Sequence, residues 1–114
     1  MDEKLFLTEY FDECKRFLTE NDVTKNIIES KKMILATKEN GGQLIFAGNG
    51  ASASIANHAS LDFTKQGKVR SVNFNESAFI TAFSNDYGYE KWIEKALGFY
   101  ASAGDTLILV SCSG

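Results

Sequence analysis

The segment Gly48-Asn-Gly-Ala-Ser52 follows the short apolar run Gln43–Ala47 and precedes a helical pattern, the order in which a phosphate-binding loop is built. Gly48 and Gly50 let the backbone turn sharply and bring N–H groups close to an anion, while a following helix adds unpaired donors and the positive end of its dipole. A second polar turn, Ser111-Cys-Ser-Gly114, follows the apolar run Thr106–Val110. Ser52, Ser54, Ser111 and Ser113 therefore supply hydroxyls on two loops at the carboxyl ends of expected parallel strands, the rim where open α/β sheets bind ligands. Two such loops suit a phosphate monoester with a polar tail. Helix capping is the competing role for these serines, and for Ser54, on the inner helical turn, it competes on equal terms.

His58 and Asp62 are four residues apart in the helical pattern that the first loop opens, so both project from one face. An imidazole and a carboxylate at this spacing serve as acid and base, as two metal ligands, or as an ordinary surface pair. Asp86, in Asn85-Asp-Tyr-Gly88, is similarly divided between a ligand contact and a helix cap. The loop also satisfies the G-x-G-x-x-A form of a dinucleotide fingerprint, but the next strand ends Asn73-Phe-Asn75 with Glu76 late, where a ribose would require an acidic residue at the strand end.

These residues must be held by a chain of 114 residues, one domain by size, burying roughly two thirds of its unfolded surface. The formal net charge of −3 comes with no cluster of Lys and Arg, so neither nucleic acid nor an anionic membrane is an expected partner. Any anion must be held locally, by backbone and hydroxyls. The start Met1-Asp-Glu-Lys has no signal-peptide pattern, and no apolar run approaches the roughly 18 residues needed to cross a bilayer, so the expected location is cytoplasmic. Cys14 and Cys112 have no paired spacing and are expected to be reduced thiols.

Leu7, Tyr10, Phe11, Cys14, Phe17 and Leu18 recur at steps of three and four and predict a helix over 5–18, punctuated by Asn21-Asp22. A second helix carries Val23, Ile27, Ile28, Ile34 and Leu35 and ends at Asn40-Gly-Gly42. Gln43–Ala47 fits a buried strand, Ser52–Phe63 a helix stopped by Lys65-Gln-Gly67, Val69–Phe74 a strand, Ser77–Ser84 a helix capped by its serine, and Tyr89–Tyr100 another helix. Thr106–Val110, after the turn Ala103-Gly-Asp105, is expected to be the clearest buried strand. Strands alternating with helices predict an α/β fold with a doubly wound parallel sheet, residues 43–114, preceded by a helical pair, residues 1–42. The sheet looks incomplete, because the last turn should open a covering helix, and the expectation is that the chain is part of a longer protein.

Phe46–Ser54, His58, Ser84-Asn-Asp-Tyr-Gly-Tyr-Glu90 and Val110–Gly114, in this order and at these intervals, resemble the sugar isomerase (SIS) domain of bacterial phosphoheptose isomerases, from about Glu9 to the end. The resemblance implies a flavodoxin-like α/β sandwich and a homotetramer with the leading helices in its core and its sites between subunits. It implies conversion of sedoheptulose 7-phosphate to D-glycero-D-manno-heptose 7-phosphate, for nucleotide-activated heptose and surface polysaccharide such as lipopolysaccharide. By motif position Asn49, Gly50 and Ala51 would contact substrate, Asn85 and Asp86 would hold sugar hydroxyls, and Ser111, Cys112 and Ser113 would cradle phosphate.

In that family a histidine at the position of His58 and a glutamate one turn later contribute to a zinc site, and the glutamate moves the proton. This chain has Asp62 there, a carboxylate drawn back by about 1.5 Å, one carbon–carbon bond. The other zinc ligands of the family, a glutamine and a second histidine, would lie beyond Gly114, so the segment alone is expected to be inactive. The resemblance therefore makes His58 and Asp62 the catalytic and zinc-ligand candidates. A noncatalytic SIS protein, sensing a sugar phosphate or serving as a scaffold like the relatives that associate with a replication initiator, is the alternative.

Overall fold

The computed structural model describes residues 2–20 and 22–114 and divides into two units, Met1–Lys31 and Lys32–Gly114. The first unit contains helix α1 (Glu3–Thr19) and the start of helix α2 (Thr24–Glu39). The Asp2 carboxylate accepts hydrogen bonds from the N–H groups of Lys4 and Leu5 at 3.0 and 3.3 Å and so caps α1. Tyr10, Phe11, Phe17 and Leu18 are exposed within this unit. Of the expected break at Asn21-Asp22, Asn21 lies outside the described residues, while the Asp22 carboxylate accepts from the Thr24 N–H at 3.0 Å.

The second unit is a three-stranded parallel sheet, strand order β2-β1-β3, made of β1 (Leu44–Gly48), β2 (Ser71–Asn73) and β3 (Thr106–Val110). Between β1 and β2 runs helix α3 (Ala51–Lys65); between β2 and β3 run α4 (Ser77–Tyr87), a 3₁₀ turn (Tyr89–Lys91) and α5 (Trp92–Tyr100). Every residue of β1 is buried, as its glycine-bounded apolar run requires of a central strand covered on both faces. Its period of two splits the core. Leu44 and Phe46 pack with Ala56, Val69, Phe63 and Ile34 on the α3 side, and Ile45 and Ala47 pack with Phe74, Trp92, Ala96 and Phe79 on the α4/α5 side. Helices thus cover both faces, the doubly wound arrangement the alternation of elements predicts.

Four local features differ from the sequence reading. β3 is an edge strand in this unit, with Leu107 and Leu109 exposed, because an apolar run shows that a strand can be buried and not how many neighbours it has. The α4 cap is Glu76 and not Ser77, since the Glu76 carboxylate reaches the N–H groups of both Ala78 and Phe79, at 3.1 and 3.0 Å. Those backbone bonds, Ala78 first and then Phe79, hold the Glu76 pKa below its usual value, and the engagement removes Glu76 as a ribose acceptor. α4 also continues through Asn85 and Asp86 to Tyr87, stopping where Gly88 takes φ 92°, and the helix expected from Tyr89 begins as the 3₁₀ turn.

At the amino ends of the strands, away from the loops, Asp105 ties the sheet together. One of its carboxylate oxygens accepts from the Gln43 N–H and the other from the Ser102 N–H, each at 2.8 Å. Burial, the largest single influence, pushes the Asp105 carboxyl up, but the bonds from Ser102 and Gln43 and the charge of Arg70 together bring it below the ordinary range. A carboxylate with a depressed folded pKa contributes stability above its unfolded value, near 3.9, and loses it as pH falls through the folded value. Asp105→Asn, which turns an amide donor toward one of the two N–H groups, is expected to cost about 1–3 kcal/mol at pH 7. Urea denaturation at pH 7 and near pH 3 checks this, with the gap between wild type and variant shrinking at the lower pH. Among the described residues no helix is long and apolar enough to cross a membrane.

Candidate functional site

The chain goes from β1 outward to β2 and then crosses back over β1 to β3, so the order reverses between β1 and β3. Connections on opposite faces leave a crevice at such a reversal, beyond the carboxyl ends of the strands. A cleft of about 320 Å³ lies there, lined by Gly48 and Asn49 from the first loop, Val110 and Ser111 from the second, and Tyr89, Glu90 and Trp92 from the crossing segment. Gly48 pairs with Val110 in the parallel register, which sets the two turns side by side on one rim.

The first turn is constrained by its backbone. A Cβ on Gly48 would lie 2.6 Å from the Ser52 carbonyl carbon and oxygen and 2.9 Å from the Ala53 nitrogen, so this position is closed to any other residue without movement of the helix start. Gly50 has φ 56° and ψ −125°, a conformation that favours glycine, and stands at the α3 cap position without a side-chain cap. The first turn of α3 closes through Ser52 N–H to Asn49 and Ala53 N–H to Gly50, each at 3.0 Å. The N–H groups of Gly50 and Ala51 precede those bonds, at the positive end of the helix.

Asn75 is a residue whose part in this loop the sequence reading missed. Its Nδ2 donates to the Gly48 carbonyl at 2.7 Å and its Oδ1 accepts from the Gly48 N–H at 3.1 Å, so one side-chain amide takes both bonds that a neighbouring strand would make. The register pairs Phe46 with Asn73 and therefore brings Asn75 alongside Gly48, two residues further along both chains. An asparagine two residues beyond a strand that neighbours a glycine loop is the signal available in sequence. In the second turn the Ser111 hydroxyl accepts from the Gly114 N–H at 3.0 Å, while Cys112 and Ser113 are exposed, and both Cys14 and Cys112 are free thiols.

The other candidates lie elsewhere on the unit. His58 Nε2 and Asp62 Oδ2 are 3.3 Å apart on α3, with side chains 73% and 46% exposed, as the four-residue spacing requires. The second Asp62 oxygen accepts from Gln66 Nε2 at 3.4 Å. Neither residue lines the cleft. Imidazole nitrogen and carboxylate oxygen are zinc-ligand types, but even a catalytic zinc takes three protein ligands, and among the described residues no group of three His, Cys, Asp or Glu is close enough to hold a metal. The pair fits as part of a ligand set. Asn85 donates to Asp86 Oδ1 at 3.1 Å, and Asp86 borders a separate groove with Phe83, Tyr87, Phe99 and Tyr100. Ser52 is half-buried and Ser54 exposed on the first turn of α3.

Comparison with known proteins agrees with this fold. The chain is 30% identical over 114 residues to the phosphoheptose isomerase of Aliarcobacter butzleri (strain RM4018), an alignment covering 88% of this chain and 60% of the relative. It is 32% identical over 115 residues to that of Helicobacter pylori (strain ATCC 700392 / 26695), covering 88% and 59%. Among solved structures, the phosphoheptose isomerase GmhA from Neisseria gonorrhoeae superposes with a TM-score of 0.83 at 26% identity, covering 95% of this chain and 60% of that one. A phosphoheptose isomerase from Francisella tularensis gives 0.83 at 25% identity. The chain thus spans about 60% of the length of these relatives. No family model matches it.

Proposed function

We propose that the protein carrying this segment, a homologue of the phosphoheptose isomerases, interconverts sedoheptulose 7-phosphate and D-glycero-D-manno-heptose 7-phosphate, and that residues 43–114 supply its phosphate grip. The observation that carries the reading is the cleft at the strand-order reversal, which Gly48 and Asn49 of the first turn and Ser111 and Gly114 of the second line from one rim. Backbone N–H groups at the start of α3 and the hydroxyls of Ser52, Ser111 and Ser113 are donors suited to a phosphate dianion. Asn49 lines the cleft; Gly50, Ala51 and Cys112, beside it in the two turns, are the further candidates for substrate contact, and Asn85 and Asp86 are the candidates for sugar hydroxyls.

With the phosphate fixed, the chemistry is one proton transfer. A carboxylate removes a proton from C1 of the ketose as O2 gains one, giving the enediol; the enediol then gives up its O1 proton and takes the carboxyl's proton at C2 to give the aldose. Asp62 is the candidate base and His58 the group that polarises the carbonyl. Their exposure on α3, outside the cleft of the same copy, suits a site completed between subunits of a homotetramer, with the leading helices as its core. His58 and Asp62 would also supply two ligands to a zinc ion, which when bound polarises the sugar carbonyl. The expected setting is cytoplasmic synthesis of nucleotide-activated heptose for lipopolysaccharide or another surface polysaccharide.

A specific observation favours a second reading. Asp62 is one methylene shorter than the family's glutamate, and both of its oxygens are engaged, by His58 and Gln66. That suits a protein that binds a sugar phosphate without turning it over. Incubation of the full-length protein with sedoheptulose 7-phosphate in deuterated water, with and without zinc, decides. Aldose carrying deuterium at C2 is expected; binding without product would select the noncatalytic reading, and neither binding nor product would remove both.

A further inference from the structure

Within the cleft, the Tyr89 hydroxyl donates to Asn49 Oδ1 at 2.7 Å, linking residues 40 positions apart. A side-chain amide has one carbonyl oxygen and two N–H donors. With Oδ1 held by Tyr89, the Nδ2 hydrogens are the part of Asn49 left for a ligand. The same loop is held a second time at Gly48, through the two bonds to Asn75. Tyr89 is itself set by the turn at Gly88, whose carbonyl accepts from the Lys91 N–H at 3.1 Å and whose φ of 92° redirects the chain from α4 toward the cleft.

We propose that Tyr89 is a positioning residue: by fixing the Asn49 carbonyl it presents the Asn49 N–H donors to the cleft, and so selects an oxygen-rich anionic ligand. An exposed asparagine on a loop would otherwise lose rotamer freedom when a ligand binds, and Tyr89 removes that cost beforehand. Tyr89 is 54% exposed, so its hydroxyl can be removed without opening a core cavity.

The inference rests on the sugar-phosphate reading above, and a double-mutant cycle in the full-length protein separates the two. KM and kcat for sedoheptulose 7-phosphate are measured for wild type, Tyr89→Phe, Asn49→Ala and the pair. Tyr89→Phe is expected to raise KM by about three- to tenfold, the effect of one hydrogen bond, with kcat and thermal midpoint little changed. In the Asn49→Ala background the same change should do nothing further, which a general structural role would not give. If the two losses multiply, or if Tyr89→Phe behaves as wild type in an active protein, the positioning role is overturned while the sugar-phosphate reading survives. A wild type that binds without turnover gives the same cycle in Kd. One that does neither overturns both.

Discussion

Gly48→Ala is expected to weaken sugar-phosphate binding by the full-length protein by at least about a hundredfold, because the new methyl group must displace backbone and not a flexible side chain. The added carbon would sit 2.6 Å from the Ser52 carbonyl and 2.9 Å from the Ala53 nitrogen, inside the 3.0 Å that real Cβ contacts respect. Relief requires the start of α3 to back away from β1, and that start carries the N–H groups assigned to the phosphate. Gly48 also cannot shift alone, since Asn75 holds both its N–H and its carbonyl. The change is expected to destabilise the fold as well, by about 1–3 kcal/mol. Gly98→Ala serves as the control, because its Cβ meets nothing within 4 Å and it lies inside α5 on an exposed face. There the gain in helix propensity should leave the protein unchanged or more stable by up to about 1 kcal/mol. Isothermal titration with the sugar phosphate, alongside denaturation midpoints, distinguishes a damaged loop from a damaged protein.

Asp62→Asn should leave sugar-phosphate binding intact and lower turnover by at least about a hundredfold, the usual contribution of a positioned general base. The amide keeps the size of the side chain and its ability to accept from Gln66, now 3.4 Å away, but it cannot take a proton from carbon. Because Asp62 does not line the cleft, the substitution should not disturb the Gly48 or Ser111 turns. Unchanged turnover would dismiss Asp62 as the base and direct attention to residues beyond this segment. Equal losses in binding and turnover would show that the carboxylate holds substrate and does not move its proton.

Features governed by neighbours in sequence were legible, and features governed by neighbours in space were not. The β1 run, bounded by glycines, declared a buried strand, and the four-residue spacing of His58 and Asp62 put them on one helix face, where they lie 3.3 Å apart. The rim shared by the two turns followed from strands alternating with helices, since parallel strands put all their carboxyl ends on one side. Asn75 acts through the β1/β2 register, so its place two residues beyond a strand becomes a signal only once that strand is known to neighbour the glycine loop. Tyr89 reaches Asn49 only because the chain crosses back over β1. The α4 cap was misassigned for a subtler reason: Ser77 and Glu76 are both competent, and the longer carboxylate engages two N–H groups where a hydroxyl engages one. Asn85 and Asp86 were expected in a turn, yet Gly88 was the stronger stop, and the helix that runs up to it places Asp86 on the aromatic groove between α4 and α5.

The central claim is that the turns following β1 and β3 together hold a phosphate ester. It is tested most directly by titrating isotope-labelled full-length protein with sedoheptulose 7-phosphate and following backbone amides by NMR, with inorganic phosphate as competitor. Saturable shifts concentrated at residues 49–53 and 111–113, reversed by phosphate, are the expected result. Shifts centred elsewhere on the sheet, or no saturable response, would contradict it.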